Sequence, residues 1–176
     1  MPIFTEENAK CILCELKKKI QGSMGVKNAI RQGSVGFENW VQIEMSGILK
    51  EYINGDRIAI EKAHDICIYD NRNVPKVVIE IKIIKNSERD IPAIKRDIDK
   101  LKNFEPNNVA MERAFFCVLY KSNGRITCQD TLNRISVYIE QQEAQIIVQK
   151  EFYVNNNAVE HIEVVLYLNR WGGIVA

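Results

Sequence analysis

Glu80 and Lys82 interrupt the most apolar stretch of the chain, Val77-Val78-Ile79-Glu80-Ile81-Lys82-Ile83-Ile84. A β-branched run of this kind reads as a strand buried on both faces. Alternation puts both charges on one face, in line with Val78 and Ile84. Opposite charges inside a central strand are costly unless something uses them, and as a plain buried ion pair they add little net stability. A second carboxylate nearby changes the chemistry. Converging carboxylates gather a hard divalent cation, and a neighbouring ammonium offsets developing negative charge.

The sequence supplies that carboxylate. Asp65 opens the preceding apolar segment, Asp65-Ile66-Cys67-Ile68-Tyr69-Asp70, and Asn71-Arg72-Asn73-Val74-Pro75 between the two runs is turn chemistry. A four-residue loop closed by Asp70 and Pro75 makes paired positions sum to 145, which sets Asp65 directly opposite Glu80. Such partners share a face, with Cβ atoms about 4.5–5.5 Å apart. A slip of one residue would separate them, so the turn decides the geometry.

A third carboxylate comes from a helix over 37–53, where Phe37, Val41, Met45, Ile48 and Tyr52 recur at helical spacing with Trp40 on the flank. Glu44 falls between Trp40 and Ile48, inside the stripe, whereas Glu38 falls at its solvent edge. Gly47, near the stripe, would let the helix approach a sheet closely.

Glu44 on a helix, Asp65 at a strand and Glu80-Ile81-Lys82 on the next strand resemble the PD-(D/E)XK nuclease superfamily over residues 35–121. His64 stands before Asp65 where that family usually has proline. The resemblance implies a restriction-endonuclease-like α/β (mixed α+β) fold, a central mixed sheet flanked by helices. It implies Mg²⁺ or Mn²⁺ held by Asp65, Glu80 and the backbone carbonyl of Ile81, with Glu44 serving a second ion or its water. Lys82 would orient the attacking water or offset charge as a phosphodiester is cut. Repulsion among the carboxylates would raise some of their pKa values in metal-free protein. The implied activity is a DNA endonuclease of restriction, repair or junction resolution. The alternatives are an RNA endonuclease and an inactive module of the same fold that binds nucleic acid or protein.

Composition agrees with one compact domain. The chain has 176 residues, 46% hydrophobic and 27% charged, enough for a sizeable core. The net charge of +1 gives no global pull toward nucleic acid. No stretch approaches transmembrane length, the start lacks a signal-peptide pattern, and five cysteines, an odd number, point to a reducing, cytoplasmic setting. Cys11-Ile12-Leu13-Cys14 has no second such pair to complete a zinc site. It lies on a helix expected over 5–21 whose core stripe is Ala9, Leu13, Leu16 and Ile20.

Around the core, 22–25 and 32–36 read as breaks flanking a basic segment, Lys27–Arg31, and 57–61 as a short strand. Asp90 would cap a helix with Pro92 in its first turn, running to Phe104 and burying Ile91, Ile94, Ile98 and Leu101. Its Lys95, Arg96, Lys100 and Lys102 form a solvated face balanced by Asp97 and Asp99, from which Lys95 or Arg96 could reach phosphates. Residues 113–120 form an apolar strand, 130–142 a helix, and 145–153 and 160–168 two strands around an Asn155-Asn156-Asn157 turn. Lys17-Lys18-Lys19 reads as a solvated helix end and Arg170-Trp171 as a packed terminus. His64 would point away from Asp65. Cutting both strands of duplex DNA suits a homodimer, with the outer face of helix 5–21 or the hairpin 145–168 as contact surface.

Overall fold

The computed structural model describes residues 3–32, 36–53, 55–61, 64–84, 87–104, 111–122, 133–134, 146–157 and 160–171. The helix expected over 130–142 therefore lies almost wholly outside the described residues.

Helix α1 (Glu6–Gly22) begins where Thr5 Oγ1 accepts the Asn8 N–H at 3.1 Å, an N-cap. It buries Ala9, Ile12, Leu13, Leu16 and Ile20 and leaves Cys11 exposed. Helix α2 (Met24–Gln32) occupies the segment expected to be broken around Gly25. Ser23 explains this: its Oγ accepts the Val26 N–H at 3.2 Å, so a cap starts a new helix one residue after α1 ends. Helix α3 (Gly36–Leu49) continues into a 3-10 turn, Lys50–Tyr52. It buries Phe37, Val41, Met45 and Ile48, but Gly47 is exposed and a Cβ there would meet nothing within 4 Å. That glycine is not needed for a close approach to the sheet.

Strands β1 (Arg57–Ala59), β2 (Ile66–Tyr69), β3 (Pro75–Ile84), β4 (Glu112–Ser122), β5 (Ile146–Asn157) and β6 (Glu160–Trp171) form one mixed sheet in the order β1-β2-β3-β4-β6-β5. Only β3 and β4 are parallel, joined by helix α4 (Ser87–Asn103) as the crossover. This helix starts earlier than expected, with Asp90 and Pro92 inside it. Strands β5 and β6 run through Asn155–Asn157, which pair with Ile162, His161 and Glu160 rather than making the turn.

The β2–β3 hairpin sets the site. Asn73 N–H donates to the Asp70 carbonyl, Asp70 N–H donates to the Val74 carbonyl, and Asn73 sits at φ 63°. The loop is thus three residues, a turn followed by a left-handed residue, one shorter than expected. A register shift between Ile68 and Tyr69 then restores the sum, pairing Ile68 with Val77, Cys67 with Val78 and Ile66 with Ile79. One irregularity cancels the other over β2, and Asp65 stands in the bend just ahead of the strand.

The two faces of β3 join different cores. Val77, Ile79 and Ile81 pack with Ala114 and Phe116 under α1 and α3. Val78 and Ile84 pack with Phe115, Cys117, Ile94, Ile98 and Leu101 under α4. Glu80 and Lys82 belong by parity to the α4 side. Two charged residues open β4. Buried Glu112 accepts the N–H groups of Ile3 and Phe4 at 2.8 Å each, and Arg113 donates to the Phe104 carbonyl at the end of α4.

Candidate active site

Strand β2 begins at Ile66, so no β2 backbone carbonyl meets the Ile81 N–H, two residues beyond Ile79 on the same edge. Asp65 supplies the acceptor: its Oδ2 takes that N–H at 2.6 Å. The N–H and C=O of one strand residue face the same neighbour. The Ile81 carbonyl is therefore directed to the edge where Asp65 sits. The other carboxylate oxygen, Oδ1, accepts from Gln42 Nε2 of α3 at 2.8 Å.

Burial pushes the Asp65 carboxyl up from 3.8 to about 6, and the charges of Glu80 and Glu38 add to the rise; the Ile81 N–H and the Lys100 charge oppose it. Asp65 thus senses two neighbouring carboxylates. The one from α3 is Glu38, one turn before Gln42, and not Glu44. Glu44 instead faces α1, where its Oε2 lies 2.7 Å from Lys19 Nζ. The helical wheel places Glu38 and Gln42 together on one flank of the stripe. It does not say which flank meets β2, because that depends on how α3 tilts across the sheet.

Glu80 is 4% exposed. His64 Nδ1 lies 2.7 Å from its Oε1, and Lys100 Nζ of α4 donates to the same oxygen. His64 is buried, its ring edge-on to Phe104 at 4.3 Å between centroids. His64, expected to point away from Asp65, meets Glu80. Residues 64 and 65 form a bend ahead of the strand, so strand alternation does not govern them. Lys82 Nζ lies 3.4 Å from Asp97 Oδ2. Glu80 with Lys100 and Lys82 with Asp97 make two crossed ion pairs between β3 and α4. Asp97 and Lys100, read from sequence as part of a solvated face, are i, i+3 neighbours turned toward the sheet. Lys95 and Arg96 are exposed on the same helix.

Among the described residues, no group of three or more His, Cys, Asp or Glu side chains is arranged to hold a metal ion. The expected three-carboxylate set with Glu44 is not assembled. The oxygen donors at this point are Asp65, Glu80 and the Ile81 carbonyl, a set that suits a hard cation such as Mg²⁺, which takes one or two carboxylates and retains water. Lys100 shares the Glu80 oxygen with His64. Cys67 and Cys117 are buried on the same side of the sheet; burial pushes the Cys67 thiol up to about 11, which leaves it protonated and inert.

Among the described residues, no helix is long and apolar enough to cross a membrane. No protein-family model, curated protein or solved structure matches the chain.

Proposed function

We propose that the chain is a metal-dependent nuclease acting on phosphodiester bonds, most simply a DNA endonuclease. The observation that carries this reading is the Asp65 carboxylate bonded to the Ile81 N–H within reach of the Glu80 charge, with Lys82 on the Glu80 face. Asp65, Glu80 and the Ile81 carbonyl would hold Mg²⁺ or Mn²⁺, which supplies Lewis acidity and an acidified water. Gln42 fixes the Asp65 carboxylate through Oδ1. His64, packed on Phe104, fixes that of Glu80. Lys82, one pleat further, offers its ammonium to the charge that develops on phosphate. Lys95 and Arg96 on the exposed side of α4 would meet the nucleic-acid backbone. A homodimer on duplex DNA in the reducing cytoplasm fits the chemistry of two-strand cutting and the free thiols.

A second reading has its own observation. In the crossed pairs Glu80–Lys100 and Lys82–Asp97, each charge already has a partner on α4. This favours a module that keeps the charges to fix α4 on the sheet and binds nucleic acid or protein without cutting it.

The test is to incubate purified protein with plasmid, linear duplex, single-stranded DNA and RNA, each with Mg²⁺, Mn²⁺ or EDTA. Metal-dependent cleavage of one substrate class, lost in Glu80→Gln, is the expected result. Binding without cleavage under every condition transfers the argument to the second reading.

A further inference from the structure

Glu80 and Lys100 are unequal partners. The Glu80 side chain is 6% exposed and is held on its other contact by the buried His64, whereas the Lys100 side chain is 42% exposed. Only the lysine has solvent to retreat into. A buried carboxylate left without a cation is strongly disfavoured, so whatever removes Lys100 must bring positive charge of its own. An acidic cluster alone would attract cations indiscriminately. Here one oxygen is already occupied by a flexible ammonium on a four-carbon stem.

We infer that Lys100 is a built-in counter-cation for Glu80, occupying the carboxylate until a divalent ion displaces it and swings the lysine out to solvent. This rests on the proposed metal reading and adds to it a specific competitor. Three features support it. Lys100 donates to Glu80 Oε1, so it and an ion bound there would share one oxygen. Its charge also reaches Asp65, so it partly neutralises both proposed ligands at once. Its helix neighbour Asp97 stays tied to Lys82, so α4 keeps an anchor on β3 when Lys100 leaves. Ion binding then has a threshold: the incoming charge must outcompete an ammonium tethered within the same fold.

The experiment is calorimetric titration of MnCl₂ into metal-free wild type, Lys100→Met, Lys100→Gln and Lys102→Met at low ionic strength. Lys100→Gln keeps a hydrogen-bond donor for Glu80 and guards against a fold lost with the methionine. Lys102→Met removes the same charge from the same helix. A hydrogen bond to a charged group is worth on the order of a ten- to hundredfold change in equilibrium. The Lys100 variants should therefore bind Mn²⁺ about tenfold or more tightly than wild type, with Lys102→Met within about twofold of it. Unchanged Mn²⁺ affinity in both Lys100 variants overturns the inference and leaves the metal reading standing. Equal tightening in Lys102→Met overturns it too, since bulk charge then suffices. Absence of Mn²⁺ binding in all four proteins overturns both the inference and the metal reading.

Discussion

The two faces of the central strands are built to different rules. Under α1 and α3 the sheet is lined by a continuous apolar cluster in which Phe116, Ile79, Leu13 and Met45 are fully buried. Under α4 the cluster is smaller, and His64, Glu80, Lys82, Asp97 and Lys100 stand where more hydrophobic side chains could pack. Hydrophobic burial contributes roughly 25 cal/mol per Å² whatever its position, whereas buried ion pairs return little beyond their desolvation cost. The first face therefore supplies stability, and the second gives some up to keep its charges.

That contrast can be broken most forcefully from the apolar side. Phe116→Ala should cost about 3–5 kcal/mol, read as a fall in the urea midpoint, because it opens a cavity in a dry, fully packed face. A loss under about 1 kcal/mol would mean that this face does not dominate stability.

On the charged side the largest effect should fall on rate and not on folding. Lys82→Ala is expected to slow cleavage by roughly 10²–10³-fold through loss of transition-state stabilisation. Mn²⁺ affinity should stay close to wild type, since an ammonium is not a metal ligand. Cleavage at the parental rate would remove Lys82 from the mechanism.

Asp65 should make stability depend on pH in the unusual direction. Its folded pKa of about 6 stands above the unfolded value of 3.8, so the folded chain binds the proton more tightly. The penalty is full above about 6 and disappears below 3.8, so this contribution to stability rises as pH falls through that window. A shift of this size corresponds to at most about 3 kcal/mol, and solvent at the half-buried site reduces it to about 1–2 kcal/mol. Asp65→Asn should flatten the profile between pH 7 and 4 in denaturant melts. An unchanged profile would place the titration elsewhere.

Smallest of all should be the stability effect of Glu80→Gln. The amide keeps an oxygen for His64 and Lys100 and relieves repulsion with Asp65, so the change should lie within about 1 kcal/mol. The rise in melting temperature produced by Mn²⁺ should vanish in the same variant. Severe destabilisation would instead make Glu80 a structural group and favour the binding-module reading.

Much of this arrangement is legible in the residues, and the failures share a cause. The apolar run of β3, the stripes of α1 and α3 and the pairing sum of 145 follow from local periodicity and turn composition, and they hold in the structure. The sum survives even though the loop is one residue shorter, because the shift after Ile68 compensates. What local pattern does not carry is how one element is rotated against another. Glu44 and Gln42 lie two positions apart on α3, yet one meets Lys19 and the other Asp65. Lys100 and Asp97 read as solvent-facing because their helix is rich in charge; only the packing of α4 on β3 turns them inward. The contact of His64 with Glu80 is not legible from alternation, because residues 64 and 65 form a bend ahead of the strand.

The hold of Glu112 on Ile3 and Phe4 carries a consequence for synthesis. The carboxylate grips Ile3 and Phe4 across 109 and 108 positions, so the start of the chain waits for β4 before it can dock. Domains are made at about 5–20 residues per second, which leaves Phe4 without this anchor for several seconds on the ribosome. During that interval Phe4 is open to a chaperone, and release of the chain before Glu112 is made would leave Ile3 and Phe4 without their anchor.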